Sequence, residues 1–160
     1  MFLHTNGIIK LFNIYIMIPK KYLPNKLTSK DKKKQYKMLM KSRRLYKQGK
    51  YFTRDKVNSF KSKISPHLLK AFAMYNIKNM DVNKELAQKT GCSIKALNAI
   101  IKKGMGAYYS AGSRPNQTAE SWGKARLASS ITGGKASKVD FHIIKDGCNH
   151  SKKAYKLALK

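Results

Sequence analysis

The chain has 160 residues, with 35 Lys and Arg against 7 Asp and Glu, and a formal net charge of +28. Self-repulsion on that scale opposes compaction until a polyanion neutralises it, which excludes an ordinary self-contained soluble enzyme and points to a phosphate-rich partner. With 42% apolar residues the chain can still build a core, so collagen-like and fully disordered classes are excluded too.

Residues 1–27 read as an apolar and then extended segment. The apolar run from Ile8 to Ile18 is broken by Lys10 and Asn13, is too short to span a bilayer, and lacks both a basic flank and a small-residue cleavage site. Met17 opens a second plausible start, so residues 1–16 are expected to be an upstream extension, with an interfacial anchor or docking strand as the competing reading. Pro19 and Pro24 keep the following stretch extended.

Residues 28–63 read as a basic helical arm. Between Lys20 and Lys63 there are 17 Lys and Arg and only Asp31 and Asp55, so this third of the chain is the electrostatic arm. Thr28 to Asp31 resembles a capping box that opens a helix over about 30–48, closed by Gly49, with only a thin apolar stripe of Tyr36, Leu39, Met40 and Tyr46. A shorter helix is expected after Thr53, using Val57 and Phe60. Lys32, Lys33, Lys34, Arg43 and Arg44 are the arm's candidate phosphate contacts.

Residues 64–150 read as the helical core. Ser65 and Pro66 start a helix in which Leu68, Leu69, Phe72 and Tyr75 recur at helical spacing. Asn83 to Lys103 then has the spacing of a helix-turn-helix-like unit: Ala87 where the helices cross, Gly91 in the turn, Ser93 as N-cap, and Leu86, Ile94, Leu97, Ile100 and Ile101 as apolar contacts. The second helix would present Lys95, Asn98, Lys102 and Lys103, with Asn98 able to read adenine and the lysines able to meet phosphates. A plain helical hairpin is the competing reading of the same residues.

Gly104 to Asp140 follows, where Gly104, Gly106 and Gly112 permit positive φ and Thr118 caps a helix to about Thr132. Tyr108, Tyr109, Arg114, Trp122 and Arg126 are candidates for an aromatic and guanidinium surface, although Trp122 reads first as core and Arg114 or Arg126 can pair with Asp140 or Glu120. Gly133 and Gly134 close the helix, and Val139 to Ile144 is the one stretch with strand-like alternation. Residues 151–160 form a basic tail able to add one short helix. The expected fold class is mainly α: a small helical domain with a helix-turn-helix-like unit and a basic N-terminal arm.

TGCSIKALN, GAYYSAGSRPNQT, SWGKARLASSITGGKAS and the nearby Asp140 resemble an uncharacterised family of small basic proteins of large DNA viruses of algae and amoebae and, more distantly, of tailed phages. The resemblance covers roughly Met17 to Asp146. It implies a DNA-associated or virion-associated protein, located in the virion or in the host cytoplasm or nucleus during infection, and offers no established activity to carry over.

No catalytic chemistry, cofactor or metal is expected. ITGGKAS lacks the earlier glycine and the Ser/Thr of a phosphate loop, His142, Cys148 and His150 offer only three zinc ligands, and no geometry links Ser110, Ser113, His142 and Asp140. Cys92 and Cys148 can form one bridge, or each can be a small buried hydrophobe in a reducing compartment. The expected function is binding of duplex DNA, largely through phosphates and without sequence specificity, to condense or tether a viral genome. The alternative is a minor capsid or core protein whose arm meets capsid proteins or an anionic inner membrane.

Overall fold

The structure, a computed structural model, describes residues 18–160. Among them are a 3-10 turn, Lys20–Tyr22, and eight α-helices: α1 Ser29–Lys47, α2 Pro66–Tyr75, α3 Lys84–Thr90, α4 Ile94–Ser110, α5 Ala119–Ile131, α6 Lys135–Val139, α7 Phe141–Gly147 and α8 Lys153–Leu159. No strand occurs among the described residues, in keeping with the expected mainly α class. The expected N-terminal extension, residues 1–16, lies outside the described residues. Among the described residues no helix is long and apolar enough to cross a membrane.

Side-chain caps fix where α1 to α5 start. Thr28, Ser65, Asn83, Ser93 and Thr118 each accept a hydrogen bond from a backbone N–H in the first turn that follows, and Pro66 occupies the first position of α2. Such a cap is worth about 1 kcal/mol, because it satisfies a donor that the helix cannot. Ser121 completes a capping box by accepting from the Thr118 N–H.

The main core lies around α5, which packs against α4, α2, α6 and α8. Leu127, Ala128 and Ile131 from α5 meet Leu97 and Ile100 from α4, Ala71 and Tyr75 from α2, Leu86 from α3, Ile144 from α7, and Ala154 and Ala158 from α8. The C-terminal tail is therefore docked through two buried alanines. In α2, Leu69 departs from its expected core role and is 53% exposed, the inward positions being Ala71 and Tyr75. Two smaller clusters carry the N-terminal third: Ile18, Tyr22, Leu23 and Leu39 with Trp122, and Leu27, Met38 and Val57 with Phe52 and Phe60.

Three local expectations are corrected. Residues 50–64 form no helix: Val57 and Phe60 pack toward α1, and the Asn116 side chain takes over their backbone, accepting from Val57 N–H at 2.7 Å and donating to the Val57 and Phe60 carbonyls at 3.0 and 2.6 Å. Val139 to Ile144 is no strand, since the Asp140 N–H bonds the Ala136 carbonyl and its own carbonyl accepts from Ile143 and Ile144, joining α6 to α7. Gly104 and Gly106 lie inside α4 instead of in a loop, and of the three expected glycines only Gly112 takes positive φ, at 120°. Gly104 is there for contact: a Cβ on it would stand 2.7 Å from Gly123 Cα, and a Cβ on Gly123 would stand 2.7 Å from the Ile101 carbonyl oxygen.

Candidate nucleic-acid interface

Helical periodicity sorts the side chains of α1 into two faces. Gln35, Met38, Leu39 and Ser42 are buried, while Lys30, Lys33, Lys34, Lys37, Lys41 and Arg44 recur at three- and four-residue steps on the exposed side, followed by Lys47. At 1.5 Å per residue this cationic stripe is about 26 Å long. Lys32 is half-buried beside it. Lys34 donates to the Lys56 carbonyl at 3.0 Å, and Lys41 sits 4.3 Å from the centre of the Phe52 ring.

The basic helix is bound to the body of the molecule along its length. Arg54 is 7% exposed and meets no carboxylate; instead its guanidinium donates to Ser42 Oγ, the Tyr108 carbonyl and Ser113 Oγ at 3.0, 3.0 and 2.7 Å, and lies 3.7 Å from the centre of the Tyr108 ring. Burial pulls the Arg54 pKa below the ordinary arginine value, against the opposing pull of Tyr108. Arg43 donates through Nε and Nη2 to the Ala111 carbonyl at 2.9 and 2.6 Å, so this predicted phosphate contact also serves as a clamp between α1 and the end of α4. Ser42 Oγ donates to the Tyr109 carbonyl, and the Gln35 amide donates to the Tyr22 carbonyl.

On α4 the expected polar face is exposed. Ala96, Leu97, Ile100, Gly104 and Tyr108 point inward, whereas Lys95, Asn98 and Lys102 are exposed on the opposite side. Gly91, at φ 73°, makes the turn from α3, and Ala87 packs against the core. Ile94 differs from its expected pinning role and is 41% exposed. The same turn is tied to the end of α7. Cys92 and Cys148 are bonded, their Cα atoms 3.9 Å apart, within an antiparallel bridge in which Ser93 N–H donates to the Gly147 carbonyl and Asn149 N–H to the Gly91 carbonyl. The two cysteines are thus partners instead of separate buried hydrophobes, and Cys148 is withdrawn from the His142 and His150 cluster. His150 stacks on Tyr155.

Arg126 and Lys103 both point to Asp140. This fully buried carboxylate accepts from Arg126 Nε at 2.9 Å and Nη2 at 2.7 Å, from Lys103 Nζ at 3.0 Å and from Ser130 Oγ at 2.9 Å. Burial pushes the Asp140 carboxyl up, but the bonds from Arg126, Lys103 and Ser130 together outweigh it and hold it below the ordinary aspartate value. Arg126 is correspondingly raised by its bond to Asp140. Arg114 is exposed on the loop after Gly112, apart from this cluster. Trp122 packs edge-on to Tyr22 at 5.9 Å and Tyr108 is fully buried, so the expected aromatic surface keeps only Tyr109, joined by Tyr46 and Tyr51.

Sequence reasoning missed Lys30, Lys37 and Lys41, which the helical period of α1 already places beside Lys33 and Arg44. It also missed Tyr51. There the signal is Gly49 after α1: its N–H bonds the Tyr46 carbonyl while Lys50 N–H bonds Leu45, the paired pattern that reverses the chain at a helix end. Nothing in the sequence marks Arg54, among so many cations, as the buried one.

The described residues contain five ion pairs, which engage only Lys89, Lys103, Lys124 and Arg126. Among the described residues no group of three or more His, Cys, Asp or Glu is placed to hold a metal. No curated protein and no solved structure matches the chain. Residues 19–147, which include all of α1 to α7, match the DUF5824 family of unknown function, and the chain belongs to that family.

Proposed function

We propose that this protein binds nucleic acid, duplex DNA foremost, through phosphate contacts with little sequence preference, and that it condenses or tethers a viral genome. The observation that carries the reading is the exposed stripe from Lys30 to Lys47, which forms no ion pair among the described residues and has only Asp31 acting on Lys30 and Lys34 at its start. Neutralising it by phosphates releases condensed counterions, a favourable term that grows with the number of contacts. The exposed Lys95, Asn98 and Lys102 supply a second patch on the helix-turn-helix-like pair α3 and α4, where one Asn able to pair with adenine gives weak base readout at most. Lys103 and Arg126 act chiefly through Asp140 and contribute less.

The test is binding of the full chain to unrelated duplexes over a salt series. Charge reversals suit it better than deletion of the N-terminal third, which would remove buried Leu39 and Arg54. Lys37→Glu/Lys41→Glu on α1 and Lys95→Glu/Lys102→Glu on α4 should each weaken binding about tenfold or more at low salt and lower the salt slope by about two. Duplex binding no stronger than that of an unstructured lysine peptide of equal charge would overturn the reading and assign the charge to acidic capsid surfaces or an anionic membrane.

A further inference from the structure

At the junction of α1 and α4 the cationic surface carries a group of three aromatic rings, Tyr51 exposed and Tyr46 and Tyr109 half-buried. The chain reversal at Gly49 folds Tyr51 back onto Tyr46, and Tyr109 from the last turn of α4 completes the group. Tyr46 and Tyr109 are nearly parallel, 8° apart with centroids separated by 6.3 Å, and Tyr51 lies 5.0 Å from Tyr109 and 6.2 Å from Tyr46. Tyr51 is 72% exposed, whereas buried Tyr108 behind Tyr109 anchors the group through an edge contact at 5.0 Å. A large ring this open is poorly accounted for by core packing, which Tyr108 already supplies.

The position relative to the cations matters as much as the rings. Along α4, Lys95, Asn98, Lys102, Gly106 and Tyr109 follow one another at steps of three or four residues, so the polar stripe of this helix leads directly to the aromatic group. Tyr46 packs over Gly106, where an added Cβ would come 3.4 Å from its hydroxyl, which brings the end of α1 with exposed Arg44, Lys47 and Lys50 to the same place. Stacking surfaces beside a track of cations are what an unpaired nucleic-acid strand needs: phosphates take the charges and the bases, no longer paired, take the ring faces. A closed duplex offers phosphates but hides its base faces.

We propose that Tyr51, with Tyr46 and Tyr109, forms a stacking platform for unpaired bases of a single-stranded nucleic acid. This rests on the polyanion reading above and adds to it a base-dependent contact. The experiment compares full-length protein binding to an oligothymidylate strand, an abasic strand of the same length and a duplex, for the wild type, Tyr51→Ala and Tyr51→Phe. Thymidylate should bind more tightly than the abasic strand. Tyr51→Ala should weaken thymidylate binding about fivefold or more, the lower end of what one stacked base contributes, and leave abasic and duplex binding unchanged. Tyr51→Phe should retain the thymidylate affinity, because the ring and not the hydroxyl makes the contact. Equal binding of thymidylate and abasic strands, or an unaffected Tyr51→Ala with intact helical circular dichroism, overturns the platform and leaves the phosphate reading standing. If duplex and abasic strands fail to bind, the phosphate reading falls; thymidylate binding lost in Tyr51→Ala would then still support the platform, and its absence would overturn that too.

Discussion

Asp140 and Arg54 solve the same problem from opposite sides. Each is a buried charge, and an unsatisfied one would cost several kcal/mol. Arg54 is satisfied by two hydroxyls, a carbonyl and an aromatic face, so it consumes none of the few acids. Asp140 instead gathers two cations and Ser130 between α4, α5 and the α6–α7 junction, and without it Arg126 and Lys103 would face each other. Asp140→Asn keeps the size and removes the charge, and we expect it to lower unfolding free energy by about 3 kcal/mol, read from urea denaturation. Because the folded pKa of Asp140 is depressed, its contribution is complete above the unfolded aspartate value and is lost as pH falls through the folded one. The stability difference between wild type and Asp140→Asn should therefore be constant near neutrality and shrink below about pH 4. Asp31 and Glu85, also held low by their hydrogen bonds to Ser59 and Lys89, titrate alike in both proteins and cancel from that difference. A difference that persists unchanged in acid would place the effect of the substitution on packing.

Helix propensity and packing oppose each other where α4 crosses α5. Gly104→Ala should gain about 1 kcal/mol as a helix residue, yet its Cβ would stand 2.7 Å from the Gly123 Cα, backbone that cannot rotate away. Forcing the helices apart strains the close contact between α4 and α5, so we expect a net loss of about 2 kcal/mol, whereas Gly106→Ala, which meets only the Tyr46 hydroxyl at 3.4 Å, should be neutral or stabilising. Thermal melts of the two variants separate these outcomes, and equal shifts would rule out the crossing as the reason for Gly104. The same pair shows how far a sequence can be read. The starts of α1, α2, α4 and α5 were legible because Thr28, Ser65, Ser93 and Thr118 are local signals, decided within one turn. Gly104 was legible as unusual but not as a crossing point, because its partner Gly123 is brought to it only by the tertiary fold. The stretch after Thr53 read as a short helix because Val57 and Phe60 have helical spacing, and the competing partner for their backbone, Asn116, lies far away in sequence. For the candidate interface, Lys95, Asn98 and Lys102 were visible from periodicity, while Arg126 with Asp140 was visible only as one pairing among several and the commitment of Lys103 to the same buried carboxylate was not visible at all.

A chain of net charge +28 holds together against its own repulsion, and two different agents act on the balance. Salt or a bound polyanion weakens the repulsion in the folded state. The Cys92–Cys148 bond works on the unfolded state, where linking residues 56 apart removes loop-closure entropy worth about 4 kcal/mol in the chain-entropy account. It also ties the α3–α4 turn, whose second helix carries Lys95 and Asn98, to the segment leading into α8. Since the two agents are physically independent, their effects should add. Going from about 0.1 M to about 1 M salt shortens the Debye length from about 10 Å to about 3 Å, so the melting temperature of the wild type should rise over that range. Cys92→Ser/Cys148→Ser should melt about 10 °C lower, and by a similar amount at both salt concentrations. Duplex DNA at low salt should raise both melting temperatures through preferential binding to the folded chain. A deficit that vanishes at high salt would mean that the bridge acts by holding mutually repelling segments together in the folded protein, and a deficit absent at both would mean that the paired backbone around Gly91 and Gly147 suffices without the bond.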